Sequence, residues 1–428
     1  MFYKSHRRHF MKKIHVLLAC LLLCVAGLTQ SVFAQTDTPK YKIQPGRQNS
    51  PGQEGKPYVV LICSDAFRWD YAEKYQAKNL LKFSAEGVRA VSMYPSFPAS
   101  THANHFTLLS GLYPSHSGIV GNEFYDPARK EMFKPSDGSW FGEEPIWVTA
   151  EKQKMLTASF WYIDTEPAIK NIHLTYIYKH IKNQDATGEE RAQALKDWLS
   201  LPEEKRPHFI ACYFPDADHA GHNFGPNSPE VQKAVAFIDD AVGKMVDAAK
   251  STGVPVNFIF VSDHGMMEID RENHLHVPAS IDKDKFVIIS QGNYVNLHAK
   301  NPADIMPVYE KLKAEKVPGY DVVLKKDLPA VMRFGQKDDK YNRVGDILLV
   351  AQYPKVFTEN PIYGAHGFDA HEHKDVQATF FAWGPAFKTH LQIPSFENVE
   401  VYDVMTKILD IKGLPNDGTG ALAKEILK

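Results

Sequence analysis

The chain predicts an α/β fold: three layers around a mainly parallel sheet, with a smaller subdomain inserted late. Three observations predict it. Short apolar runs rich in β-branched residues recur at Pro57–Ser64, His208–Phe214, Val256–Ser262 and Ala378–Trp383. Helix-length segments such as Pro229–Lys250 separate them, and strands that alternate with helices pack as a sheet covered on both faces. Between residues 275 and 360 the pattern changes to shorter strands and one helix, Pro302–Lys316, which reads as an insertion in the same unit. A length of 428 residues also exceeds what one hydrophobic core usually holds.

In chain order, Arg7, Arg8, Lys12 and Lys13 precede an apolar run from Ile14 to Gly27, a polar stretch and the small-residue site Val32-Phe33-Ala34. That is the pattern of a secretory signal peptide over residues 1–34. The run is shorter than the roughly 20 apolar residues of a membrane-spanning helix and has no second copy, so export to a periplasmic or secreted location without a stable span is expected. Leu17-Leu18-Ala19-Cys20 resembles a lipoprotein processing site, but apolar residues continue past Cys20, which suits the middle of a hydrophobic region. Losing five basic residues with this segment moves the formal charge from -2 to -7, which disfavours long nucleic acid as a partner. Cys63 and Cys212 each lie inside an apolar run and read as buried thiols. Residues 35–56, rich in Pro, Gly, Gln and Lys without periodicity, read as a flexible leader into a main domain over 57–428.

Three apolar runs end in acids: VVLICSD at Asp65, HFIACYFPDAD at Asp218, and NFIFVSDH at Asp263 and His264. Ligands of open α/β sheets bind outside the carboxyl ends of the strands, so parallel strands gather these acids along one rim. Gathered carboxylates repel one another unless cations neutralise them, and His222, His264 and His366 supply imidazoles suited to zinc. The set divides into two metal sites. Singly, each residue has a plainer reading: a strand-end Asp as readily caps the next helix, and a lone His is more often a loop or core residue. Joint occurrence at strand ends carries the argument.

In MYPSFPASTHANHFTLLSGLYP an apolar stretch ends at Pro98, Ser100 or Thr101 stands where an N-cap belongs, and a helix runs to Ser110 before Gly111 stops it. Helix N-termini offer unpaired N–H groups to anions, so a phosphate oxygen can rest beside the Thr101 hydroxyl. Asn104, three residues on, is a candidate to hold a second phosphoryl oxygen; the plainer reading is a cap and a surface amide. A threonine hydroxyl ionises about as reluctantly as water. Zinc lowers the pKa of bound water from about 15.7 to about 7, worth roughly 12 kcal/mol, and a coordinated hydroxyl gains comparably, so no general base is needed.

With these residues in hand, the chain resembles the nucleotide pyrophosphatase/phosphodiesterase family of the alkaline phosphatase superfamily, from Pro57 almost to the C-terminus. VVLICSDAFRWDY looks like the family's first ligand strand, FPASTHANHFTLLSGLYPSHSGIVGNEFYDP like its nucleophile segment, and DHAGHNFGP, VSDHGM and GAHGF like its remaining ligand motifs. GEEPIWVTAEKQ and FFAWGPAFKTHLQIPSFENVEVYDVM fit as well. The resemblance implies an alkaline phosphatase-like sandwich and two zinc ions. One is expected on Asp218, His222 and His366, the other on Asp65, Asp263, His264 and the Thr101 oxygen. It implies Asn104 as the oxyanion-stabilising asparagine and a phosphothreonine intermediate with net retention at phosphorus.

Two departures bear on substrate. Nucleotide-binding relatives commonly carry an aromatic directly after the nucleophile, where this chain has His102. The family's Trp-Pro-Gly-Ser segment becomes FWYIDTEP, which keeps Trp161 and introduces Asp164 and Glu166. TYIYKH loosely matches a segment that supplies a second stacking aromatic, Tyr178, for which a core Tyr is the equal alternative. Three rivals stand beside a nucleotide-type phosphodiesterase: a phosphomonoesterase on the same scaffold, a lipid or choline phosphodiesterase, and a non-enzymatic binding protein. The acidic segment after Trp161 disfavours the first, and the competent residue at every ligand and nucleophile position disfavours the last.

Overall fold

The computed structural model describes residues 40–179 and 185–428; the signal peptide expected over 1–34 lies outside them. Its centre is a nine-stranded sheet in the spatial order Tyr41–Ile43, Tyr176–Tyr178, Thr157–Phe160, Phe209–Phe214, Tyr58–Ser64, Val256–Val261, Phe380–Trp383, Val88–Ala90, Leu391–Ile393. The inner strands from Tyr176–Tyr178 to Val256–Val261 pair in parallel, whereas Phe380–Trp383 runs antiparallel to both its neighbours. The sheet is thus mainly parallel, as expected.

The strand Tyr58–Ser64 shows why the molecule has three layers. Val59, Leu61 and Cys63 enter one apolar cluster, which also takes Phe106, Trp147 and Val404 from helices on one face. Tyr58, Val60 and Ile62 enter another, with Leu80, Leu195 and Val242 from helices on the opposite face. Successive side chains of a strand point to opposite faces, so a strand apolar throughout must be covered twice. Cys63 and Cys212 are buried free thiols, as their apolar runs indicated.

The 275–360 stretch builds its own antiparallel sheet, ordered Phe286–Ser290, Tyr294–Ala299, Ile347–Ala351, Tyr320–Leu324, over a separate apolar cluster. The helix expected at Pro302–Lys316 appears as a 3-10 turn, Pro302–Asp304, leading into Ile305–Glu315. Buried Arg343 ties this unit to the main body through Asp126 Oδ2 and the carbonyls of Gly118 and Trp140.

The leader reading needs correction. Tyr41–Ile43 forms an edge strand paired with Tyr176–Tyr178, and Asn49 is buried, donating to the carbonyls of Glu203 and Arg206 and accepting from the Leu156 N–H. Composition without periodicity missed a segment held by backbone pairing and one buried amide, neither of which needs an apolar pattern. Among the described residues no helix is long and apolar enough to cross a membrane.

Candidate metal centre and nucleophile

Asp65 follows the strand Tyr58–Ser64, and Asp263 follows its parallel neighbour Val256–Val261, so sheet register alone brings the two carboxylates to one rim. Asp65 accepts a hydrogen bond from the Tyr213 hydroxyl at 2.5 Å through Oδ2. Asp263 accepts from the N–H groups of Ala66 and His264 through Oδ1. The next strand, Phe209–Phe214, leads into the short helix Asp216–Phe224, on which Asp218 and His222 lie one turn apart. His366 arrives from the far end of the chain, delivered by the pairing of Gly364–Ala365 with Met267–Glu268 just after His264.

These six residues form two groups, Asp65 with Asp263 and His264, and Asp218 with His222 and His366, the candidate ligand atoms of each lying within 4.8 Å of one another. The imidazoles are oriented alike. Nδ1 of His222, His264 and His366 donates to the carbonyl of Gly364, Gly265 and Ala99 at 2.8, 2.9 and 2.8 Å. A carbonyl can only accept, so each Nε2 is left with its lone pair, the tautomer that a metal takes. Opposite them, Oδ1 of Asp65, Oδ1 of Asp218 and Oδ2 of Asp263 are buried without a hydrogen-bond donor among the described residues. Buried carboxylate oxygens are normally satisfied, and three orphans facing three imidazole lone pairs fit cations. The donor set of carboxylates and imidazoles suits zinc.

The electrostatics agree. Burial, then the charges of Asp263 and Asp218, pushes the Asp65 carboxyl well above the usual carboxylate range. Burial also opposes ionisation of Asp218, but His222 and His366 outweigh it and hold that carboxyl low. Burial, with His264 and His222 beside it, drives the His366 imidazole well below its ordinary value. A third cluster, Cys63, His105 and Asp263, lies behind the first group. There burial raises the thiol well above its ordinary range and lowers His105 to about 4, so neutral packing describes it better than a ligand set.

Thr101 opens the helix Thr101–Ser110, with Ser100 as its N-cap and Gly111 closing it in the left-handed region at φ 71°. Its Oγ1 lies 3.4 Å from Nε2 of His264, at the mouth of the strand-end group. Asn104, expected to hold a phosphoryl oxygen, is fully buried instead. Its amide donates to the carbonyls of Ser96, Pro98 and Ser100, and its Oδ1 accepts from the Ser96 N–H and from Asn398, leaving nothing to offer a ligand. Position i+3 from Thr101 faces the protein because the helix is packed on nearly all sides, a tertiary fact invisible in the spacing.

A second asparagine, Asn122, lies against the first turn of the Thr101–Ser110 helix. Its Oδ1 accepts the His102 N–H at 2.9 Å, which leaves its amide N–H groups open among the described residues. It lies in the same quoted segment, at GIVGNEFYDP, but no local period links it to Thr101. His102 donates or shares a proton with Asp164 at 2.9 Å, and Asp164 outweighs burial to raise its pKa. Tyr178 stacks on Phe160 at 4.3 Å and meets Tyr41 edge-on, as a half-buried sheet aromatic would.

The description of the family model that matches residues 59–371 reads type I phosphodiesterase / nucleotide pyrophosphatase. Venom phosphodiesterase 2 of Crotalus adamanteus is 32% identical over 408 residues, covering 88% of this chain and 48% of its own length. Human ectonucleotide pyrophosphatase/phosphodiesterase family member 1 is 30% identical, covering 87% of this chain and 42% of its own. The solved structure of human ectonucleotide pyrophosphatase / phosphodiesterase 5 superposes with a TM-score of 0.79 at 26% identity, over 87% of this chain and 100% of that one. The chain therefore spans less than half the length of these venom and human family-member-1 relatives, the matched part being the unit that carries the two ligand groups and Thr101. With that fold, that site and a match across most of its length, the chain belongs to the type I phosphodiesterase / nucleotide pyrophosphatase family.

Proposed function

We propose that this chain is an exported phosphodiesterase or nucleotide pyrophosphatase that uses two zinc ions and attacks phosphorus with Thr101. The observation that carries the reading is the convergence of three Nε2 lone pairs and three donorless carboxylate oxygens beside a hydroxyl at a helix N-terminus. Asp218, His222 and His366 would hold one ion; Asp65, Asp263, His264 and Thr101 Oγ1 the other. The ions supply charge neutralisation at phosphorus and an acidified Thr101 hydroxyl when bound.

Thr101 Oγ1 forms a bond to phosphorus while the ester or anhydride oxygen opposite departs, giving a phosphothreonine ester that water hydrolyses in a second displacement. The helix N-terminus offers N–H groups to a phosphoryl oxygen, and the open Asn122 amide can donate to another. Two inversions give net retention. Small phosphodiester or nucleotide substrates fit this chemistry; the signal-like N-terminus supports export.

The test compares turnover of the p-nitrophenyl ester of thymidine 5′-monophosphate, a diester, with p-nitrophenyl phosphate, a monoester, with zinc and after chelation. A chelator-sensitive preference for the diester is expected. Preference for the monoester would move the activity to the phosphatase side of the superfamily.

A further inference from the structure

Each carboxylate of the strand-end group has one oxygen committed to the protein. Asp65 Oδ2 accepts from the Tyr213 hydroxyl at 2.5 Å, and Asp263 Oδ1 accepts from the N–H groups of Ala66 and His264 at 3.2 and 3.0 Å. Asp65 Oδ1 and Asp263 Oδ2 are the buried oxygens without a donor among the described residues. Each carboxylate therefore offers a metal one atom rather than two.

Those two oxygens and the Thr101 hydroxyl surround one nitrogen. From Nε2 of His264, Asp65 Oδ1 lies at 3.4 Å, Asp263 Oδ2 at 3.2 Å and Thr101 Oγ1 at 3.4 Å. A tetrahedron with bonds of about 2.0 Å, the length zinc makes to nitrogen and oxygen, has edges of about 3.3 Å. An octahedral ion with bonds of about 2.1 Å needs six donors with neighbours about 3.0 Å apart. The strand-end pocket offers four donors at the zinc spacing. The helix-and-loop group is less constrained: Nε2 of His222 and His366 lie 3.2 and 3.8 Å from Asp218 Oδ1, and no donor among the described residues holds Asp218 Oδ2. Asp218 can bind through one oxygen or both, and its side chain, 14% exposed, admits water to a larger coordination shell.

The donors on Asp263 are backbone groups, but the donor on Asp65 is a side chain. Tyr213 lies in the strand Phe209–Phe214 opposite Cys63, its carbonyl accepts from buried Arg191 at 2.7 Å, and its ring meets His105 edge-on at 5.1 Å. Its hydroxyl is thus held in place from both ends of the residue. We infer that Tyr213 is a positioning residue that keeps Asp65 to one coordinating oxygen, so that the strand-end pocket stays four-coordinate and selects zinc over ions that need six donors. The helix-and-loop group, without such a clamp, takes zinc or an octahedral ion. The inference rests on the two-ion reading above.

Tyr213→Phe removes one oxygen and keeps the ring. The readouts are metal binding to the chelator-stripped chain: zinc affinity by competition with a chromophoric chelator, and Mn2+ content after equilibration with Mn2+ alone. Wild type should hold about one Mn2+ per chain. Tyr213→Phe should weaken one zinc site about tenfold, leave the other unchanged as a report of intact folding, and raise Mn2+ uptake to about two per chain. Tyr162→Phe is the packing control, because Tyr162 is buried against the same His105 at 4.9 Å and its hydroxyl has no hydrogen-bond partner among the described residues. It should stay within about twofold of wild type in every readout. Unchanged zinc affinity and Mn2+ uptake in Tyr213→Phe overturn the inference, as do equal changes in both variants or a wild-type chain that already takes two Mn2+. Binding is read separately from turnover: a wild-type chain that binds two zinc ions but hydrolyses no diester overturns the phosphodiesterase reading alone, and one that binds no zinc overturns both.

Discussion

The two halves of the site are built differently. Asp65, Asp263 and His264 stand at the ends of adjacent parallel strands with side chains no more than 2% exposed. Asp218, His222 and His366 have side chains 14, 31 and 11% exposed and ride on a nine-residue helix and a loop. The strand-end half is held by six consecutive register partners between Tyr58–Cys63 and Val256–Val261. The other half depends on a two-residue strand pairing and on the bond from His222 Nδ1 to Gly364. Core strands open only with global unfolding, whereas short surface elements open locally. The strand-end half is therefore the rigid anchor beside Thr101, and the helix-and-loop half the side at which a bound ion would exchange.

The largest expected effect belongs to Thr101, the proposed nucleophile. Thr101→Ala should lower turnover about ten-thousandfold or more while zinc content stays near two per chain, since one hydroxyl is lost from the seven atoms offered to metal. Substantial residual diesterase activity at full zinc content would remove Thr101 from that role. Asp263→Ala should cost roughly a thousandfold and release the ion nearest Thr101, because the strand-end group cannot be rebuilt from a neighbouring loop. Retention of both ions in that variant would break the division of the site into halves.

Asn122→Ala should reduce kcat about a hundredfold with the melting temperature nearly unchanged, the behaviour of a donor to a developing oxyanion. The contrast is Asn104→Ala, which should leave kcat per folded molecule close to wild type but destabilise by about 2 kcal/mol, because buried backbone carbonyls lose their donor. A His222→Ala variant should lose about tenfold in activity at limiting zinc and recover with excess zinc; failure to recover would contradict the exchangeable character of the exposed half.

The smallest effect is a pH dependence of the chelated protein. Burial holds the Asp65 carboxyl above its unfolded value, so its contribution is fully present below about pH 4 and is lost as pH rises through the raised pKa. Asp218, held low, works oppositely, contributing above its unfolded pKa and losing that contribution on acidification. Denaturant melts of metal-free protein should therefore lose stability on the alkaline side of that range. Asp65→Asn should flatten that fall, and zinc should abolish it; a metal-free chain with the same slope in both variants would exclude Asp65 as its source.

Much of this arrangement is legible in the amino-acid order, for a physical reason. A strand buried on both faces must be apolar throughout, so Tyr58–Ser64, Phe209–Phe214 and Val256–Val261 announce themselves, and the polar residue that ends each run falls at the sheet rim. The acids at 65 and 263 needed only the parallel pairing of their strands to meet, while Asp218 is carried to the same rim by the helix that follows its strand. The helix stop at Gly111 and the buried state of Cys63 and Cys212 follow from equally local rules.

What failed was any inference that required knowing which face of an element is covered. The spacing of Asn104 from Thr101 suggests a group available to substrate, but hydrogen bonds with Ser96, Pro98, Ser100 and Asn398 absorb it. Residues 35–56 read as a leader by composition, yet within the described part the edge strand Tyr41–Ile43 and the buried Asn49 amide hold the segment without any apolar period. Asn122, the His102–Asp164 contact and the tautomers of the three site histidines arise where distant segments close on one another. The amino-acid sequence by itself determined the layers, the strand-end acids and the residue types fit for zinc, because burial patterns and side-chain chemistry are local properties. Only the tertiary structure decided that the Asn104 amide is used up inside the protein, which carboxylate oxygens lack a donor and where His102 is held, because those depend on partners up to 294 residues apart in the chain.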